Sequence, residues 1–180
     1  AMAMLLTMIV TVAIVLPIML LNPMSKNNDY DPDIDVAQLA AEGSSATPIR
    51  LAAPDVPDDW YASFARWKHD NAANISMWEV GYVTGDKEFM GVTQAIDVNP
   101  SWLSEYTQKS TDQGTVMSAG YPWETRQAED NTYWILDSEN TDLPDSSDGK
   151  TQTVILTGSG TEDQLNELAE ATIAELKKTN

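Results

Sequence analysis

Residues 152–178, QTVILTGSGTEDQLNELAEATIAELKK, carry a strand, a turn and a helix in succession, and their reading decides the fold class. Gln152 to Thr157 is a short apolar, β-branched run, the composition of a buried strand. Gly158-Ser159-Gly160 punctuates it as a turn. Thr161-Glu162-Asp163-Gln164 has the capping-box spacing, in which Thr161 accepts from the first-turn amides and Gln164 reaches back. Leu165, Leu168, Ala169, Thr172, Ile173 and Leu176 then recur at helical spacing, with Glu and Asn opposite. Lys177 and Lys178 suit the negative end of the helix dipole. A helix with one apolar stripe needs a sheet to lie on.

Upstream, the chain alternates and turns. Thr132 to Leu136 is a strand, and Asp137 to Lys150 is an acidic loop. Thr115 to Ser118 and Trp123 to Gln127 flank Ala119-Gly120-Tyr121-Pro122, a hairpin signal. Asn99-Pro100 offers an N-cap followed by proline at the first helical position, with Trp102, Leu103 and Tyr106 on one face. Ile75 to Thr84 and Lys87 to Ala95 alternate across the tight connection Thr84-Gly85-Asp86-Lys87. Trp60 to Lys68 reads as a first strand, ended by the turn residues 70–74. The expectation is an α+β domain over residues 60–180, a small antiparallel sheet covered by one or two helices.

The other end of the chain is hydrocarbon. Met2 to Leu21 holds no charge, and only Thr7, Thr11 and Pro17 fall outside Ala, Val, Ile, Leu and Met. A bilayer core about 30 Å thick needs roughly 20 such residues as a helix. Residues 1–22 are therefore predicted as a single transmembrane helix, anchored by Met4, Leu5, Leu6, Ile9, Val10, Val12, Ile14, Val15, Leu16, Ile18, Leu20 and Leu21. A cleavable signal would have a shorter apolar region and a small-x-small site, which Leu21-Asn22-Pro23-Met24-Ser25 does not supply. With no basic flank at Ala1, the expectation is a preceding basic, cytoplasmic stub, with residues 23–180 facing the extracytoplasmic side of the cell membrane. Residues 23–59 mix Pro, Asp, Asn, Ser and Gly and read as an acidic, extended tether. A short amphipathic turn interrupts it at Ile34 to Ala41.

A formal net charge of -18 weighs against nucleic acid and anionic headgroups, which would repel it. It suits a basic protein surface, with Asp29, Tyr30, Asp31, Asp33, Ile34, Asp35 and Leu39 as the candidate contacts along the tether. Asp31, Asp33, Asp35 and Glu42 have the carboxylate spacing of an EF-hand loop, but Val36 replaces its glycine and Pro32 intrudes, so no metal is assigned. The absence of cysteine and a single histidine, His69, exclude the common zinc sites and thiol chemistry. No Gly-x-Ser-x-Gly elbow is present, and Gly158-Ser159-Gly160-Thr161 lacks the phosphate-loop lysine. No catalytic residue or cofactor is assigned. Six tryptophans, at 60, 67, 78, 102, 123 and 134, are expected mostly in the core, with one or two free to anchor an interface.

Asp59-Trp60, Gly81-Tyr82-Val83-Thr84, Gln94, Trp102-Leu103, Gly120-x-x-Trp123 and Thr157-Gly158-Ser159 occur in an order that resembles an actinobacterial single-pass membrane family, domain of unknown function 4245. The likeness covers the apolar helix and most of residues 59–176. It implies a short cytoplasmic stub, one helix and a small envelope-facing domain, and it brings no catalytic residues. The sheet-then-helix ending is also similar to the Mog1/PsbP-like fold. The expected function is a non-catalytic, membrane-anchored accessory subunit of an integral membrane protein complex. An actinobacterial respiratory supercomplex of the cytochrome bcc-aa3 type is the most concrete host. The alternative is a free-standing membrane-tethered binding module for an envelope ligand or lipid, which requires an apolar pocket between sheet and helix.

Overall fold

Seven strands and three helices build an α+β domain in a computed structural model that describes residues 33–143 and 149–178. In chain order these are α1 (Val36–Ser44), β1 (Tyr61–Asp70), β2 (Ile75–Val83), β3 (Phe89–Ile96), α2 (Pro100–Tyr106), β4 (Thr111–Ser118), β5 (Tyr121–Gln127), β6 (Thr132–Asp137), β7 (Gln152–Gly158) and α3 (Glu162–Leu176). One 3-10 turn, Ser138–Asn140, follows β6. The predicted transmembrane helix lies outside the described residues. Among the described residues no helix is long and apolar enough to cross a membrane.

The strands form a single antiparallel sheet in the order β1-β2-β3-β7-β6-β5-β4. Two meanders, β1 to β3 and β4 to β7, meet where β3 pairs β7, with Val92 opposite Leu156. Hairpin chemistry explains the turns. Ala119 and Gly120 take φ of 52° and 84°, a two-residue primed turn whose twist matches the strands it joins. The hairpin is consequently tighter than its sequence suggested, and both flanking strands are longer.

Because side chains alternate along a strand, both faces of the sheet are available, and both are covered to different extents. On one face Trp78, Val80, Tyr82, Met90, Val92, Trp123, Trp134, Val154 and Leu156 pack beneath α3, which contributes Leu165, Leu168, Ala169, Ile173 and Leu176. The Thr161–Gln164 capping box starts that helix as its sequence predicts. On the other face Ile75, Met77, Ala95, Tyr133, Ile135 and Ile155 pack against Trp102 of α2. Asn99 caps α2, accepting a hydrogen bond from the Trp102 amide at 2.9 Å. Five of the six tryptophans are buried; Trp67, on edge strand β1, is 36 % exposed.

The structure differs from the sequence expectation in the stretch before Trp60. Residues 33–59 are an arm folded onto the sheet, not an extended tether. Ala40, Ile49, Leu51 and Ala52 are buried in the same core as α3. Gln94 on β3 accepts from the Ala52 amide at 2.6 Å and donates to the Arg50 carbonyl at 2.9 Å. Trp78 Nε1 donates to the Ala52 carbonyl at 2.9 Å. These contacts come from strands distant in sequence, so local composition, rich in Pro, Ser and Asp, reads as spacer while tertiary partners order it. The folded unit begins ahead of residue 60, and the 59/60 boundary disappears.

Candidate functional site

The arm, the start of β1 with the end of β2 beside it, and the end of α3 line an open groove of about 1100 Å³. Its walls are short side chains: Ala37, Ala40 and Ala41 of α1, Ala53, Pro54 and Val56 of the arm, and Ala62 of β1. Small residues leave the volume, since the arm bridges from α1 to the sheet on its backbone and on few bulky groups. Arg50 crosses one end, its Nη2 3.1 Å from Glu175 Oε1 and its other terminal nitrogen donating to the Lys178 carbonyl. Lys178 in turn pairs Glu175. This ionic clasp ties the arm to the last turn of α3.

Tyr82 lines the groove from β2 and is 2 % exposed. Its hydroxyl is buried with no hydrogen-bond partner among the described residues. Such a group ordinarily finds one, because an unmet buried donor costs about 1–3 kcal/mol. Burial also pushes its phenol well above the ordinary tyrosine range.

A second recess lies on the opposite face, where the seven-residue α2 stops short and leaves part of the sheet uncovered. It measures about 190 Å³ and is lined by Phe64, Phe89, Tyr106, Tyr133, Thr93 and Glu79, among others. Glu79, on β2, the strand next to edge strand β1, is 7 % exposed. Its Oε2 accepts from Arg66 Nε at 2.9 Å and lies 3.6 Å from Lys68 Nζ, and its Oε1 accepts from the Tyr106 hydroxyl at 3.3 Å. Thr93 and Tyr106 share a 2.7 Å hydrogen bond. Burial above all raises the Tyr106 phenol, and the Glu79 charge adds to it.

The residues predicted for partner contact divide between described and undescribed chain. The anchor residues from Met4 to Leu21, with Asp29, Tyr30 and Asp31, lie outside the described residues. Ile34 and Asp35 line the groove. Asp35 also caps α1, its Oδ1 accepting from the Gln38 amide at 2.8 Å. Asp33 is exposed in left-handed backbone, φ 48°. Leu39 is 40 % exposed on α1 and does not line the groove. The EF-hand spacing is broken because α1 occupies residues 36–44, where Glu42 accepts from Gln38 Nε2. Among the described residues no group of three or more His, Asp or Glu converges as a metal site.

His69 is exposed, with Nδ1 2.9 Å from Ser76 Oγ. At the Gly158–Thr161 turn the donors serve the fold: Ser159 N bonds Phe89 O, its hydroxyl bonds Glu88, and Thr161 N bonds Gln164 Oε1. Glu79, Tyr82 and Gln94 are not among the residues predicted for a site. Glu79 carried a legible signal, a lone charge between Trp78 and Val80 in an apolar strand. The emptiness above Tyr82 depends on where the arm lands and left no mark in its own strand.

The chain matches, over residues 1–172, the model of a family described as "Protein of unknown function (DUF4245)". No curated protein and no solved structure matches it.

Proposed function

We propose that this chain, which belongs to the DUF4245 family, is a non-catalytic, membrane-anchored accessory subunit of a larger integral membrane complex. The observation that carries the reading is the extent of the family match, which takes in the uncharged apolar run 2–21 together with the folded domain. Anchor-like segment and domain thus form one family unit. On this reading the domain faces the extracytoplasmic side. An actinobacterial respiratory supercomplex is the host we favour. Helices on both faces of one antiparallel sheet also support a Mog1/PsbP-like assignment of the fold.

The acidic arm, with Asp33 and Asp35 at its start, is the surface we assign to a basic partner. Cross-linking mass spectrometry on native membranes tests this. The expected result is recurrent cross-links from Lys26, which precedes the arm in sequence, and from Lys178, which lines the groove, to one integral membrane complex. Cross-links scattered over abundant proteins without preference would overturn it.

A second reading, a membrane-tethered module for an envelope ligand or lipid, is favoured by the groove itself. At about 1100 Å³ it reaches the size of small-molecule sites, and Arg50 at one end offers a polar point of attachment. Lipid extracted with the purified chain and lost on filling the groove by Ala62→Trp would favour this reading over the first.

A further inference from the structure

The recess around Glu79 is walled by rings held in fixed positions. Phe64 of β1 lies directly across from Gly81 of β2, and a Cβ at Gly81 would sit 2.4 Å from the Phe64 ring. A Cβ at Gly91 would sit 3.2 Å from the Phe89 ring. Glycine at both sites lets the two rings lie down on the sheet, stacked with centroids 6.3 Å apart and planes 22° apart. Cover of a strand glycine by its cross-strand neighbour accounts for Phe64. It does not account for Phe89, for Tyr106 across the recess, or for a buried carboxylate between them.

We propose that this recess seats one aromatic side chain of a protein partner, with carboxylates beside that residue resting on Arg66 and Lys68. Size sets the ring count. A cavity near 150 Å³ admits benzene, so about 190 Å³ admits a phenol or an indole and falls short of the roughly 300 Å³ at which drug-sized sites begin. The walls set the chemistry, because Phe64, Phe89 and Tyr106 offer the offset and edge contacts that aromatic rings prefer. Glu79 sets the polar end. Among the described residues its Oε1 receives the long 3.3 Å bond from Tyr106 and no other, and a carboxylate oxygen accepts more than one donor, so a phenol O–H or indole N–H has a ready acceptor. The rim sets the flanks. Two half-exposed cations, Arg66 and Lys68, meet Glu79, and Asp70 sets a second carboxylate near Lys68, so the rim offers exposed N–H donors, Arg66 foremost, on a chain whose overall charge is -18. Buried aromatic anchors of this kind dominate protein interfaces.

The inference rests on the docking role proposed above and adds the contact by which a partner holds on. Three acetylated tripeptide amides, Asp-Tyr-Asp, Asp-Leu-Asp and Lys-Tyr-Lys, are titrated into the ¹⁵N-labelled full chain in mild detergent and followed by amide NMR. Asp-Tyr-Asp is expected to shift Gly91, Thr93 and Gln108 saturably, with the other two peptides weaker by about tenfold. Thr157→Trp, which fills the recess, abolishes the shifts. Arg66→Gln, at an exposed rim position, weakens Asp-Tyr-Asp severalfold and strengthens Lys-Tyr-Lys, opposite changes that a misfolded variant would not give. Absence of saturable shifts, equal binding of Asp-Leu-Asp, or shifts confined to the arm groove overturns the proposal. Capture of a membrane complex without peptide binding leaves the docking role standing and removes this contact alone.

Discussion

Gln94 has no exposed surface, and its amide is spent on three partners: the Ala52 N–H, the Arg50 carbonyl and Gln152 Oε1. A fully satisfied buried amide of this kind specifies one docking position for the arm. Gln94→Leu fits the volume but strands the Ala52 N–H and Arg50 carbonyl, so a loss of about 2–4 kcal/mol is expected in urea unfolding. The same variant should expose residues 33–56 to protease while the sheet stays intact. Tyr82 presents the opposite case, a hydroxyl with nothing to lose inside the domain. Tyr82→Phe is expected to leave stability at pH 7 unchanged or to raise it by about 1 kcal/mol; a loss of that size would show that the hydroxyl has a partner. The pH dependence has a definite sign. Burial raises the Tyr82 and Tyr106 phenols above the unfolded value near 10. The stability they contribute is therefore complete below about pH 10 and is lost as pH rises through their folded values. Urea midpoints should fall above pH 10, and less steeply in Tyr82→Phe.

Among the elements, those with local signals were legible and those ordered by distant partners were not. Thr161 and Gln164 announce α3, Asn99 and Pro100 announce α2, and the alternation about Gly85 announces the β2–β3 hairpin; each signal acts within a few residues. The β4–β5 turn was legible as a turn but not in its length, because Ala119 carries a positive φ that alanine seldom adopts. Ala119→Asn is expected to raise the thermal midpoint, with a gain of about 0.5–1 kcal/mol. The arm was misread for the converse reason. Its buried residues, Ala40, Ile49, Leu51 and Ala52, show neither a helical nor a strand period, and the groups that fix them belong to β2 and β3. The candidate sites follow the same rule. Ile34 and Asp35 were picked out for their charge and polarity pattern. The groove they line exists only because the arm spans a gap between α1 and the sheet.

The whole chain, on the proposed reading, is an apolar anchor followed by a two-faced domain with a groove under its arm and a ring-sized recess on the other face. The anchor has its own test. Val12→Arg places a charge at the centre of the apolar run, at about 2.5–3.5 kcal/mol on insertion scales. Membrane association should be lost on alkaline washing while the domain's unfolding curve is unchanged. Retention in the washed membrane would remove the single-span reading. Whether the chain is a subunit or a solitary protein is decided by purifying the tagged full chain from its native membrane in mild detergent and measuring what accompanies it. For a subunit, an integral membrane complex is expected in fixed stoichiometry, retained through size exclusion and released in part by salt. Recovery of the chain alone, as one monodisperse species, would contradict the subunit reading.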